Sequence, residues 1–320
     1  MTKINKLDIS IVVPLYNEQD SIRELVKWIH SVIHGKYNFE IIFIDDGSKD
    51  DSWTVIKELS SQYEFIKAIK FRRNYGKSAA LNTGFRLSNG EVVITMDADL
   101  QDSPEEIPDL YNMITKENYD LVSGWKKKRY DPISKTLPTK LFNFTVRLFS
   151  GIKLHDFNCG LKAYNCSVVK NIEVHGDMHR YIPVIAKFNG FDKISEKTVV
   201  HQSRKHGKSK YGFERFINGY LDLLTVIFVS KFSQKPMHFF GTIGTILFLV
   251  GFFIFSYIGG TKLINLELKP IVERSEFFIA LVFMIIGAQM FLAGYISEMI
   301  SNLSRSKDNY QIEERINNHD

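Results

Sequence analysis

Four short polar runs carry residue types whose spacing could do chemistry. Asp97-Ala98-Asp99, with Gln101 two further on, sets oxygen donors close together directly after an apolar stretch. Hard divalent cations such as Mg2+ and Mn2+ take donors of this kind, completing their shell with water and substrate phosphate oxygens. Asp45-Asp46-Gly47-Ser48 follows a second apolar stretch and Tyr16-Asn17-Glu18 a third. The fourth run, Arg204 to Lys210, is basic. Two other segments imitate a phosphate-binding loop, Gly76-Lys77-Ser78 and Gly207-Lys208-Ser209. That motif needs a further glycine five residues before the Gly-Lys pair, where Phe71 and Gln202 stand. Nor does a G-x-G-x-x-G turn follow the first apolar run, so a dinucleotide site has no phosphate turn. His155, His175, His179 and His201 have no metal-ligand spacing and read as surface or satisfied core residues.

The elements that must position these runs alternate. Ile9–Val13, Glu40–Ile44, Ile66–Phe71 and Glu91–Met96 read as buried strands rich in β-branched residues. Between them, helices are expected from a capping box at Ser21-Ile-Arg-Glu24 to Ile33, from Ser52 to Gln62 and from Ser78 to Leu87. Strands alternating with helices predict an α/β fold with a mostly parallel sheet and right-handed crossovers. Ligands on such sheets bind beyond the carboxyl ends of the strands. The clusters at 16–18, 45–48 and 97–101 all fall there, so their convergence follows from topology.

The chain has 320 residues, 44% apolar and 24% charged, with 41 Lys+Arg against 36 Asp+Glu for a formal charge of +5. That composition excludes a disordered or collagen-like chain and is too weakly basic to imply nucleic acid. Two cysteines, Cys159 and Cys166, give no disulfide framework and no zinc spacing, and read as free thiols in a reducing compartment. The apolar surplus is concentrated near the C-terminus. Phe239–Thr261 and Phe277–Ser297 contain no charge, and about 20 helical residues cross a bilayer core. Two transmembrane helices, about 239–261 and 277–300, are expected to form a hairpin with both chain ends on one side. Lys231, Lys235, Arg305 and Lys307 flank the pair and favour a cytoplasmic placement of those ends. Met1–Asp8 is polar and Ile9–Pro14 is too short for a signal peptide, so the first 236 residues are expected in the cytosol. Residues 212–236 alternate apolar and polar positions at helical spacing and read as an interfacial amphipathic helix.

Taken in order, Pro14-Leu-Tyr16-Asn-Glu18, Asp45-Asp-Gly-Ser48, Arg73-Asn-Tyr-Gly-Lys77 and Asp97-Ala-Asp-Leu-Gln101 resemble the successive motifs of family 2 glycosyltransferases with the GT-A fold. Asp156-Phe-Asn-Cys-Gly-Leu-Lys162, Arg204–Tyr211 and the C-terminal hairpin extend the likeness to dolichyl-phosphate mannose synthases and bacterial polyprenyl-phosphate glucosyltransferases. The resemblance implies that Pro14, Tyr16, Glu18, Ile44 and Asp46 hold the base and ribose of a nucleotide sugar. It implies a donor contact for Asp97 and Ala98, with Asp99, Gln101 and Asp97 as ligands of Mg2+ or Mn2+. Lys77 matches a basic residue of the donor site, Arg204 and Lys210 a phosphate-gripping pair, and Asp156 the position of a catalytic base. At 126 the family often has arginine; here Lys126 supplies charge without the guanidinium fork, and the run Lys126–Arg129 that it opens reads equally well as a solvated charge run.

The expected organisation is a cytosolic GT-A domain at 1–211, an interfacial segment at 212–236, two transmembrane helices within 237–303 and a polar tail at 304–320. The expected activity is inverting, metal-dependent transfer from a nucleotide-diphosphate sugar, UDP-linked in preference to GDP-linked, to a membrane polyprenyl phosphate. The alternatives are transfer to a glycan or glycolipid hydroxyl, and a membrane-anchored nucleotide-sugar-binding protein without catalysis. A homo-oligomer is compatible with the sequence. A processive polysaccharide synthase is disfavoured, because Trp28, Trp53 and Trp125 are not preceded by the arginine of that group's acceptor motif.

Overall fold

The computed structural model describes residues 7–127, 143–174, 176, 178–202, 236–265 and 270–304. Arg204, Lys210, the 212–235 stretch, His175, the charge run from Lys128 onward and the tail beyond 304 lie outside the described residues. The chain divides into two compact units, Met1–Val226 and Ile227–Asp320.

Within the first unit, the apolar runs form strands β1 (Ile9–Leu15), β2 (Phe39–Asp45), β3 (Ile66–Lys70), β4 (Val92–Thr95) and β5 (Leu121–Trp125). Two further strands, β6 (Lys162–Asn165) and β7 (Ile194–Thr198), complete a seven-stranded sheet in the order β3-β2-β1-β4-β6-β5-β7. Only β6 runs against the others. The helices are α1 (Ile22–Ile33), α2 (Ser52–Gln62), α3 (Lys77–Leu87), α4 (Ile107–Thr115), α5 (143–150), α6 (Cys166–Asn171) and α7 (Ile182–Phe188).

β1 and β2 are buried along their whole length, as expected of central parallel strands covered on both faces. Even Ser10 lies inside, its hydroxyl donating to Glu40 Oε1 at 2.6 Å, while Lys67 neutralises Glu40 Oε2 at 2.6 Å. α1 presents Ile22, Leu25, Val26, Ile29, Val32 and Ile33, a stripe at three- and four-residue spacing, to that sheet. Each such side chain contributes about 1.5–3 kcal/mol on burial.

The expected capping box at Ser21 does not form. Ser21 is already helical (φ −101°, ψ −27°) and its hydroxyl donates to Glu18 O at 3.0 Å. The Glu18 N–H is meanwhile taken by Ser52 Oγ, because this loop is tied to its neighbour rather than to its own helix. β6 and β7 have no counterpart in the sequence reading. β6 is four residues long and begins on a buried lysine, and β7 is polar and only partly buried, so neither shows an apolar period.

The second unit contains α8 (Pro236–Ile264) and α9 (Ser275–Ser304). Both are long and apolar enough to cross a membrane, 29 residues for the first and 26 to Ile300 for the second, with mean hydropathy 2.1 and 2.3 over an 18-residue window of each. Only 17% of each apolar window is buried, which distinguishes them from core helices of a soluble protein. The two backbones touch through small residues: a Cβ on Gly287 would lie 2.6 Å from Gly244 O. Large side chains such as Phe253 and Ile285 point outward instead.

Candidate active site

Because β2, β1 and β4 are parallel neighbours, the loops leaving their carboxyl ends lie side by side. The first two loops are knitted together. Asn17 N–H donates to Ser48 Oγ and Glu18 N–H to Ser52 Oγ, both at 2.9 Å, while Lys49 N–H donates to Asn17 Oδ1 at 2.8 Å. Asn17 adopts φ 53°, a left-handed conformation that asparagine tolerates better than most residues. Tyr16 and Glu18 are half-buried on this fixed loop, and Pro14 and Ile44 are buried register partners behind it.

Asp46 is 5% exposed, and its two oxygens accept the N–H groups of Tyr75 (2.7 Å) and Gly76 (2.9 Å). It therefore anchors the 71–76 loop, and each oxygen keeps a further lone pair. Burial pushes its carboxyl above the ordinary value, with the two N–H donors acting against that rise. Gly47 completes the turn at φ +76°, and a Cβ there would stand 2.6 Å from the carbonyl carbon of Arg73. Only glycine lets the 71–76 loop lie this close.

Lys77, the first residue of α3, forms an ion pair with Asp97. Burial alone would raise the Asp97 carboxyl; Lys77, with Lys126 and His179 adding to it, outweighs burial and holds it well below the usual carboxylate range. Ala98 is buried, and Asp99, 8% exposed, accepts the Gln101 N–H on Oδ1 at 3.2 Å. Leu100 between them is fully buried at φ 61°, a conformation costing a non-glycine residue about 1–2 kcal/mol. The packed leucine pins the turn that presents Asp99 and Gln101. Among the described residues no three His, Cys, Asp or Glu side chains gather closely enough to hold a metal by themselves. The donor set of Asp97, Asp99 and Gln101 is nonetheless all hard oxygen at one strand end, and fits a Mg2+ or Mn2+ ion that shares its shell with a diphosphate.

Asp156 is 1% exposed, and its Oδ1 accepts the Asn158 N–H at 3.0 Å, closing the turn that leads into β6. That turn reaches Asp97: a Cβ on Gly160 would lie 2.5 Å from Asp97 Oδ2. Thr95 Oγ1 donates to Gly160 O at 2.8 Å and fixes the approach. The structure thus brings together Tyr16, Glu18, Asp46, Lys77, Asp97, Asp99 and Gln101 at one sheet edge, and places Asp156 in the interior of the adjoining turn.

Residues 10–173 match the family Glycosyl transferase family 2. The chain belongs to it. The glycosyltransferase is 33% identical over 302 residues to a dodecaprenyl-phosphate galacturonate synthase of Rhizobium johnstonii, covering 93% of this chain and 89% of that one. It is 35% identical over 300 residues to an undecaprenyl-phosphate 4-deoxy-4-formamido-L-arabinose transferase of Pectobacterium carotovorum, with 92% and 89% covered. Among solved structures, glucosyl-3-phosphoglycerate synthase from Mycobacterium tuberculosis, in complex with Mn2+, UDP-glucose and phosphoglyceric acid, superposes with a TM-score of 0.54 at 18% identity. It covers 70% of this chain and 79% of that one. The likeness establishes the expected GT-A fold.

Several residues around this sheet edge take contacts that the sequence reading did not give them. Lys126 is not solvated. It turns inward to Asp102, 2.8 Å from Oδ1, where the carboxylate is fully buried. Burial would lower the Lys126 ammonium, but Asp102 raises it far above its ordinary value, so it stays charged. The same segment meets the exit of β7, since Gln202 N–H donates to Gln101 O at 2.9 Å and Asp102 bridges His201. His201 Nδ1 stands 4.0 Å from Asp102, and His155 stacks on Trp125 while pairing with Glu196. Cys159 is a buried free thiol, pushed up to about 12 by burial and then by Asp102. Lys162 is buried beneath the 156–160 turn and donates to Phe157 O at 3.2 Å and to Cys159 O. A lysine inside the apolar run Leu161–Tyr164 was the available signal for it; Arg180 and Ser78 offered none.

Proposed function

We propose that this glycosyltransferase transfers a sugar from a nucleotide-diphosphate donor, UDP-linked in preference to GDP-linked, to a membrane polyprenyl phosphate, inverting the anomeric configuration. The observation that carries the reading is a donor-type loop cluster on the same chain as two outward-facing apolar helices long enough to span a bilayer. Relatives covering nearly the whole chain and named for polyprenyl-phosphate products support it. The two helices anchor the enzyme in the membrane where its acceptor resides, and the basic flanks Lys231, Lys235, Arg305 and Lys307 favour a cytosolic catalytic domain.

In this reading the fixed loops of Tyr16, Glu18 and Asp46 receive base and ribose, with Pro14 and Ile44 behind them. Asp99 and Gln101, joined by Asp97, would hold Mg2+ or Mn2+. Such an ion, when bound, neutralises charge developing on the leaving group. Lys77 pairs with Asp97 and orients it toward the donor, while Arg204 and Lys210 supply further positive charge. An acceptor phosphate oxygen attacks the anomeric carbon opposite the diphosphate; the new C–O bond forms as the old one breaks.

The test incubates the full-length protein in nanodiscs with labelled UDP- and GDP-sugars and undecaprenyl phosphate, with and without a chelator. Sugar linked to the lipid phosphate, formed only with divalent metal, is expected. Label appearing on a hydroxyl acceptor and never on the lipid phosphate refutes the reading.

A further inference from the structure

Next to Asp97 a narrow cleft runs between the 156–160 turn and residues 178–182, lined among others by Lys77, Asn158, Gly160, Lys162, His179 and Arg180. Among the described residues that line it, three are lysine or arginine, one is histidine and none is a carboxylate. Lys77 and Arg180 bring positive charge into a partly dry cleft, where it is costly to desolvate, so the arrangement favours an anion. Lys77 is answered by Asp97, and Lys162 by the carbonyls of Phe157 and Cys159. Arg180 is 7% exposed and brings the planar fork of N–H donors that matches a phosphate. His179 is held against Ser78, its backbone N–H donating to Ser78 Oγ at 3.0 Å and its ring Nδ1 lying 3.3 Å from the same oxygen.

The cleft contains none of the residues assigned to base, ribose or metal. Neither the 14–18 loop, nor the 44–48 loop, nor Asp99 or Gln101 lines it, and it shares only Lys77 with the donor side. Its interior has room for about 10 Å3, about what one water needs. A phosphate seated here would insert a single oxygen, with its remainder at the mouth beside Asn158 and Gly160. We propose that this cleft, through Arg180, His179 and Lys77, is the seat of the acceptor's terminal phosphate monoester. Lys162 acts as a positioning residue, holding the turn from beneath. The assignment deepens the proposed function and rests on it for the identity of the acceptor.

The test titrates farnesyl phosphate, a soluble short-chain probe, into the full-length protein with UDP and Mn2+ present, and measures UDP affinity separately. Arg180→Gln should weaken farnesyl phosphate by about tenfold or more while UDP affinity stays within about twofold, because a charged hydrogen-bonding fork is lost on one side only. Arg180→Lys, which keeps charge without the fork, should fall between. His179→Gln, expected to weaken the probe by about threefold, keeps the test open should Arg180→Gln fail to fold. UDP affinity falling while farnesyl phosphate is unaffected would give the cleft to the donor's phosphates and overturn the proposal. Unchanged binding of both would make the cluster structural, which also overturns it. Wild-type protein that binds farnesyl phosphate but transfers no sugar to any polyprenyl phosphate would sink the proposed function and leave the phosphate seat standing.

Discussion

Gly160→Ala adds one methyl group where the structure has no room for it. The new Cβ would stand 2.5 Å from Asp97 Oδ2, 2.7 Å from Cγ and 2.9 Å from Oδ1, whereas ordinary contacts begin at 3.4 Å. Gly160 is not among the residues with positive φ, so alanine is acceptable to the backbone and the effect isolates the clash. The carboxylate or the turn must retreat by about 0.9 Å, the difference between 2.5 and 3.4 Å. The turn is held by Thr95 Oγ1 on Gly160 O, and the carboxylate by Lys77, so one of these contacts lengthens. Asp97 has 32% of its side chain exposed and can yield outward, which keeps the stability cost at the low end of the 1–3 kcal/mol typical of overpacking, about 1 kcal/mol. Turnover should suffer far more, since a displacement of about 1 Å in a reacting site costs on the order of a hundredfold. Transfer rate at saturating donor, Mn2+-dependent UDP binding and the unfolding midpoint, measured on the same preparation, separate the two effects. Wild-type turnover with a lowered midpoint would refute the idea that Gly160 exists for Asp97.

Asp99→Asn should abolish the Mn2+-dependent part of UDP affinity while leaving the unfolding midpoint unchanged; a calorimetric titration with and without Mn2+ checks it. Lys126→Met strands the buried Asp102 carboxylate and should cost about 3–5 kcal/mol of stability in urea, and Lys126→Arg should restore most of it. Because Lys77 and its neighbours hold the Asp97 carboxyl below its ordinary range, the pair's stabilisation is present above the unfolded value near about 3.9 and lost as pH falls through the folded one. The stability gap between wild type and Lys77→Met should therefore be steady from neutral pH to about 4 and narrow only below that; a gap that closes nearer neutral pH contradicts the pairing. Asp156→Asn, whose amide oxygen can still accept the Asn158 N–H, should approach wild-type transfer as pH rises past the acceptor's second pKa near about 6, whereas a rate ratio flat and very low from about pH 6 to 8.5 would make Asp156 an obligatory base.

The first half of the site was legible because parallel topology does the placing. Once Ile9–Val13, Glu40–Ile44 and Glu91–Met96 are read as strands, the polar runs behind them must meet at one edge, and β2-β1-β4 adjacency makes them meet. The family resemblance then implies the roles. What was not legible depends on contacts between segments far apart in sequence. Nothing in Lys126-Lys127-Lys128 says that the first lysine turns inward to Asp102, and nothing in Met178–Tyr181 says that it faces Lys77. β6 was hidden because its pattern is set by two neighbours running opposite to it, and by a buried lysine whose partners are carbonyls rather than acids. Local signals fail for the same reason at Ser21. The capping-box pattern is present, but its hydroxyl is used to close the Glu18 loop that the site requires.

The buried state of Asp156 bears on which chemistry this edge of the sheet is built for. An acceptor hydroxyl is neutral at pH 7 and needs a base that touches it during attack. A phosphate monoester already carries about −1.5 to −2 charges at that pH, so what it requires from the protein is cations and placement. In this chain the carboxylate in the base position is 1% exposed and engaged in closing a turn, while the adjoining cleft is lined by two lysines, an arginine and a histidine. That division suits a nucleophile that arrives deprotonated. It also gives a reason for the lysine beneath the turn, since Lys162, by capping the Phe157 and Cys159 carbonyls, leaves the turn's outer side open to a negatively charged acceptor.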